Sequence, residues 1–120
     1  MNGYALEGIK VVEFATMVSG PYCGKLLGDM GADVIKVEPP DGDPARGCGP
    51  FPDGVKHPER SPLFLYNNTS KRGVTIDLDT PKGAEGFTQL LQWADVFIEN
   101  HPPGFLEKRG FSWAAVHRLN

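Results

Sequence analysis

Apolar positions along the chain fall into two kinds of stretch that take turns, short β-branched runs and longer segments with helical spacing. Ile9 to Phe14 (IKVVEF) is a strand-like run interrupted only by Lys10 and Glu13, and Val34 to Val37 is a second. Between them Pro21 suits a first helical position, where its missing amide would have had no partner, and Ser19 or Gly20 suits the cap. Tyr22, Cys23, Leu26, Leu27 and Met30 predict the buried stripe of that helix. Gly24 and Gly28 lie four apart on a neighbouring face that could approach a sheet closely, and Gly31 is a natural stop. Gly73 to Leu78 (GVTIDL) and Asp95 to Glu99 (DVFIE) predict strands three and four. Thr80-Pro81 opens the helix between them, with Ala84, Phe87, Leu90, Leu91 and Ala94 at helical spacing. Leu63 to Tyr66 reads as a short helix or a strand. Pro102 to Gly110 predicts a turn and a short helix, and Ser112 caps a last helix carrying Trp113, Val116 and Leu119. The order predicts an α/β fold with a parallel sheet and flanking helices.

One segment breaks the pattern. Pro39 to Pro62 holds seven prolines in 24 residues together with several glycines, a composition that neither helix nor sheet tolerates. Loops of this length inside a compact domain are usually functional, so an ordered loop or lid is expected, against the blander reading of a surface excursion that packs on a partner subunit. With 120 residues and 40% apolar composition, one domain is the default. Twelve basic against 15 acidic residues leave no footprint for nucleic acid, although a few local cations suffice for one phosphate group. Two cysteines, no secretory leader and no apolar run near the ~20 residues of a membrane span point to a cytoplasmic protein with free thiols and no membrane contact.

In open parallel sheets ligands lie beyond the carboxyl ends of the strands, here Thr16 to Gly20, Glu38 to Pro40, Asp77 to Asp79 and Asn100 to Pro102. These loops should converge. The first resembles a phosphate-binding turn, but Gly20-x-x-x-Gly24 is not the dinucleotide spacing and Pro21 removes a donor. Glu38 would suit a ribose hydroxyl, which keeps a nicotinamide or flavin site open as an alternative. Arg46, Lys71, Arg72, Lys108 and Arg109 are the candidate cations, and by composition alone Lys71-Arg72 reads as a solvated rim. His57, His101 and His117 lack metal-ligand spacing, so no metal is expected. Cys23 reads as packing and Cys48 as the more exposed thiol, neither with a histidine nearby in sequence to activate it.

Several separate blocks carry a resemblance. LEGIKVVEF (6–14), Gly20-Pro21, LGDMGADVIKVE (27–38), GDPAR (42–46), NTSKRGVTIDL (68–78) and ADVFIEN (94–100) with Pro103-Gly104 resemble the amino-terminal part of the family III CoA-transferases, the CaiB/BaiF group that also contains α-methylacyl-CoA racemase. The resemblance covers essentially the whole chain and implies a Rossmann-like CoA-binding segment, residues 1–120, that is an incomplete fragment of the family fold. It implies a homodimer of interlocked rings, with an acyl-CoA and a free carboxylic acid as substrates and coenzyme A as carrier. Carried over by position, CoA contacts fall on Ile76, Asp77, Leu78 and Asp79 after strand three, and on Asn100 and His101 after strand four. Met17, Val18 and Ser19 match the family segment near the pantetheine thiol. The family's basic residue after the Pro-Gly turn falls on Lys108, beside Arg109. A second basic position of the family falls on Pro39, which bears no charge, so its role is either missing or taken over by Arg46. Lys71 and Arg72 complete the candidate set. The nucleophilic aspartate of the transferases and the acid/base pair of the racemase lie beyond the matched stretch. No catalytic residue is therefore assigned here, and the chain alone is expected to bind without catalysing. The functional expectation is CoA transfer through an aspartyl intermediate in the full-length protein, with the racemase and a non-catalytic nucleotide-binding module as alternatives. Read as a fragment, the sheet should have an unpaired edge and leave Trp113, Val116 and Leu119 uncovered.

Overall fold

A computed structural model describes residues 3–120. Four strands, β1 (Lys10–Phe14), β2 (Asp33–Glu38), β3 (Lys71–Thr75) and β4 (Val96–Glu99), form one parallel sheet in the order β3-β2-β1-β4. Val11 pairs with Val34 on one side and Val96 on the other, and Val34 pairs with Lys71, so the carboxyl ends of all four strands open on the same edge. The helices are α1 (Ser19–Asp29), α2 (Pro62–Asn67), α3 (Pro81–Trp93) and α4 (Trp113–Leu119). Thr80 and Ser112 cap α3 and α4 with their side chains, accepting from the Gly83 and Ala115 amides, as their sequence positions predict.

Side chains alternate across β1 and sort the two faces of the sheet. Val12 and Phe14 join Val37, Phe87 and Leu91 in the main core, where Phe87 is fully buried and meets Phe14, Phe97 and Phe111 edge-to-face at 5.5, 5.7 and 4.9 Å. Val11 packs with Ala32, Val34, Leu6 and Leu27 in a smaller cluster, and Glu13, on the side of the strand that meets α1, is equally buried. There α1 departs from its predicted orientation. Gly20, Pro21 and Gly24 are its buried residues, while Tyr22, Cys23, Leu26 and Met30 are exposed. Helix and sheet approach on the glycine face because a Cβ at Gly24 would sit 2.7 Å from the Glu13 Oε2, and one at Gly28 would sit 2.7 Å from the Ser70 carbonyl. Of the predicted stripe, only Leu27 packs on the sheet. The thiols are reversed as well, Cys23 being exposed and Cys48 half-buried.

Strand three begins two residues earlier than expected and ends at Thr75. The Ile76 amide makes one last bond to the Glu38 carbonyl, and Asp77 then opens a turn by accepting from the Thr80 amide. Leu63 to Tyr66 lies within α2. The long loop contains two single-turn 3-10 helices, Pro44–Gly47 and Pro52–Gly54, and is tied down at Ser61, whose Oγ shares its one proton between the Ala45 and Cys48 carbonyls at 2.6 and 2.7 Å. β3 and β4 each pair with one strand only, and Trp113 is exposed, but Val116 and Leu119 pack against the Phe87 core rather than lying uncovered.

Candidate functional site

The loops after β1, β3 and β4 are stitched together at the carboxyl edge of the sheet. Asn100, just past β4, turns its amide onto the loop after β1. Its Oδ1 accepts from the Thr16 amide at 2.8 Å, and its Nδ2 donates to the Thr16 carbonyl at 2.8 Å and to Ser19 Oγ at 3.3 Å. Both backbone groups of Thr16 are thereby satisfied, so Asn100 is a clamp between loops. Met17 and Val18 follow it, exposed, and Met17 takes φ 67°, an uncommon conformation for a residue with a Cβ. The loops after β3 and β4 meet through Asp79 and Arg109, 2.9 Å apart. Asp77 shapes its own turn by accepting from the Asp79 amide.

The loop after β4 is stiffened by a stack of rings. The Arg109 guanidinium lies 4.0 Å from the Phe105 ring, Phe105 stacks on His101 at 4.2 Å with the planes 8° apart, and His101 reaches Phe14 at 4.4 Å. Burial pushes the His101 imidazole below its ordinary pKa, with Glu99 opposing and Arg109 reinforcing, so the ring is neutral at pH 7. Its Nδ1 is buried without a hydrogen-bond partner. Lys108 is exposed and makes no ion pair among the described residues.

The remaining predicted cations are committed to the protein. Lys71 is no rim residue, since its side chain is 2% exposed and its Nζ pairs with Glu13 at 2.6 Å while donating to the Pro21 and Asn67 carbonyls and to Asn68 Oδ1. Burial draws its ammonium below the usual lysine pKa, and Glu13 opposes that shift. Lys36, also buried, bridges Glu13 at 2.9 Å and Asp43 at 3.0 Å, which completes a set of two carboxylates and two ammonium groups. Arg46 forks onto both oxygens of Glu38 at 2.7 Å, lies 3.7 Å from the Phe64 ring, and reaches Glu59. Burial would raise the Glu38 carboxyl, but the Arg46 fork and the Asp43 amide outweigh it and hold the group below its usual pKa. A carboxylate so occupied is not open to a ribose hydroxyl, which removes the residue that favoured a dinucleotide. Arg72 pairs with Asp33 through two bonds on the surface. It lines a cleft of about 640 Å³ beside β3 together with Ile35, Thr75, Ile76, Asp77 and Lys82. A second cleft of about 640 Å³ lies between His101, Leu106 and Trp113.

Glu13, Lys36 and Asp43 are the functional-site neighbours that sequence reasoning missed. A charged residue inside each of two neighbouring, otherwise apolar strands was the available signal, since Glu13 and Lys36 pair directly in register.

With that geometry in place, comparison with known proteins is decisive. The chain matches CoA-transferase family III over residues 6–120. It belongs to that family. A formyl-CoA:oxalate CoA-transferase of Bradyrhizobium sp. is 42% identical over 117 residues, 97% of this chain and 27% of that protein. A succinyl-CoA–D-citramalate CoA-transferase of Chloroflexus aurantiacus is 40% identical over 116 residues, 96% of this chain and 28% of the relative. The crystal structure of a CaiB/BaiF family protein from Brucella suis superposes with TM-score 0.87 at 40% identity, covering 99% of this chain and 32% of that one. This family III chain thus spans about a quarter to a third of the length of the relatives it matches, and its parallel α/β sheet is a fragment of their fold.

Proposed function

We propose that this chain supplies the CoA-binding amino-terminal part of a CoA-transferase, which moves CoA from an acyl-CoA to a free carboxylic acid through an aspartyl intermediate. The observation that carries the reading is the convergence of the loops after β1, β3 and β4, joined by the Asn100 clamp and the Asp79–Arg109 bridge, in a member of this family. In this reading Met17 to Ser19 face the pantetheine end, Ile76 to Asp79 and His101 the nucleotide end, and Lys108 with Arg109 the phosphates. Lys supplies charge at position 108 but not the planar fork of arginine. Arg46 and Lys71 act inside the protein, and Arg72 stands at the mouth of the β3 cleft.

The nucleophile is placed outside these 120 residues. Five aspartates here have other work: Asp29 pairs with Lys25, Asp33 with Arg72, Asp43 with Lys36, Asp77 holds a turn, and Asp95 accepts from the Lys10 amide. The cytoplasmic location and the interlocked homodimer belong to the same proposal. Calorimetric titration of the chain with CoA and with NAD tests it. Binding of CoA and not NAD is expected, and the reverse would overturn the assignment. The family enzyme carrying this segment should exchange CoA between an acyl-CoA and a free acid, whereas α-proton exchange without an acceptor would mark the racemase.

A further inference from the structure

The exposed turn from Thr16 to Val18 owes its shape to side chains outside it. Val18 is the N-cap of α1 with no side-chain cap, and the amides of Thr16 and Met17 both go to side-chain oxygens rather than to backbone. Asn100 takes the first. The second is taken by Asp43, 26 residues away in the long loop, whose Oδ1 accepts from the Met17 amide at 3.0 Å. We propose that Asp43 is a positioning residue that holds Met17 to Ser19 in their ligand-ready conformation from the loop between β2 and α2. This rests on the CoA reading given above for that segment.

Asp43 is equipped for such a role because it is itself immobile. Its side chain is fully buried, Oδ1 also accepts from the Ala45 amide at 2.9 Å, Oδ2 is held by Lys36 at 3.0 Å, and its own amide donates to Glu38 at 2.8 Å. Lys36 is in turn fixed by Glu13 and by the Ala15 carbonyl at 3.0 Å, one residue before the turn. A left-handed Met17 has no local reason to stay so, and a rigid external acceptor supplies one. The Pro-rich loop thereby gains a purpose: it carries the support of a binding turn to which it does not belong.

Two variants separate positioning from mere stability. In Asp43→Asn the amide oxygen faces the Met17 and Ala45 amides, because the flipped orientation would set its NH2 group against both donors. The NH2 then falls beside Lys36, so the positioning bond survives and the ion pair is lost. Asp43→Ala loses both. Both variants should melt at lower temperature than the parent chain, but calorimetry should find CoA binding weakened about tenfold in Asp43→Ala and within about twofold of the parent in Asp43→Asn. Equal losses in the two, or none in either, would refute the role. Amide hydrogen exchange of Met17 gives a readout that needs neither CoA nor a variant. The parent chain should protect this amide despite the exposure of its turn, and exchange at the rate of an unprotected turn overturns the proposal even if both variants fail to fold. A parent chain that protects the Met17 amide yet binds no CoA would instead overturn the functional reading alone.

Discussion

At the carboxyl ends of β1 and β2 the charges are sealed in, and at those of β3 and β4 they stand in water. Glu13, Asp43, Lys36 and Lys71 have side-chain exposures of 3% or less and sum to zero charge. Asp79 is 70% exposed, Arg109 is 26% exposed, and Lys108 is exposed without a counter-ion among the described residues. A buried ion set is costly to assemble and more costly to break, because each ion left without its partner has no water to turn to. An exposed bridge contributes little and can exchange partners. The same residue type therefore does opposite things: Lys71 shapes the fold, and Lys108 stands in solvent. The strongest way to break this contrast is Lys71→Met, which strips Glu13 Oε2 of its partner, leaves one net negative charge sealed in, and should cost about 3–5 kcal/mol in urea unfolding. Against a total of roughly 5–15 kcal/mol, that is a large fraction of the stability of a small domain. Adding Glu13→Leu leaves Lys36 and Asp43 as a neutral pair and should recover much of the loss. A Lys71→Met chain as stable as the parent would show that the network does not hold the sheet and α1 together.

Two helical glycines sharpen the same contrast. A Cβ at Gly24 meets Glu13 Oε2 at 2.7 Å and Lys71 Cε at 3.3 Å, so Gly24→Ala overpacks the sealed side and should destabilise by about 1–3 kcal/mol. A Cβ at Gly86 in α3 meets nothing within 4 Å, and Gly86→Ala should stabilise by up to about 1 kcal/mol through lower unfolded-state entropy. Thermal melts of the two should move in opposite directions.

What the sequence disclosed and what it hid divide along the same line. The alternation of runs gave the four strands and the long helices, because apolar periodicity reports burial directly, and Thr80-Pro81 and Ser112 marked helix starts by local chemistry. The blocks of family resemblance were legible across the chain. Burial of charge was not. Lys71 reads as surface because an isolated lysine nearly always is, and only the tertiary fold places Glu13, two carbonyls and Asn68 around its ammonium. The orientation of α1 failed for the same reason. Its apolar stripe suggested the sheet face, but the Glu13–Lys71 pair beneath it admits only glycine, which turns Tyr22, Leu26 and Met30 outward.

Acid should separate the two regions by a smaller margin. The folded Glu38 carboxyl lies below its unfolded value near 4.5, so the folded state binds fewer protons there. The stability that Glu38 contributes is complete above about pH 4.5 and is lost as the pH falls through the folded pKa. Glu38→Gln should lower the melting temperature at pH 7 and flatten its decline below pH 4.5. An unchanged acid profile would mean that the Arg46 fork does not anchor the long loop.

The smallest effects are expected on the open side, and they bear most directly on binding. Asp79→Ala removes an exposed bridge and should change stability by no more than about 1 kcal/mol. Lys108→Ala touches no ion pair and should change it by less than about 0.5 kcal/mol. If Lys108 faces phosphate, the same change weakens CoA binding, and the weakening shrinks as salt screens the interaction. Titrations of both variants at low and high ionic strength read this out. A Lys108→Ala chain that loses stability rather than affinity would place this lysine with Lys71, among the cations that shape the fold, and would erase the division between sealed and open charge on which the assignment of the phosphate end relies.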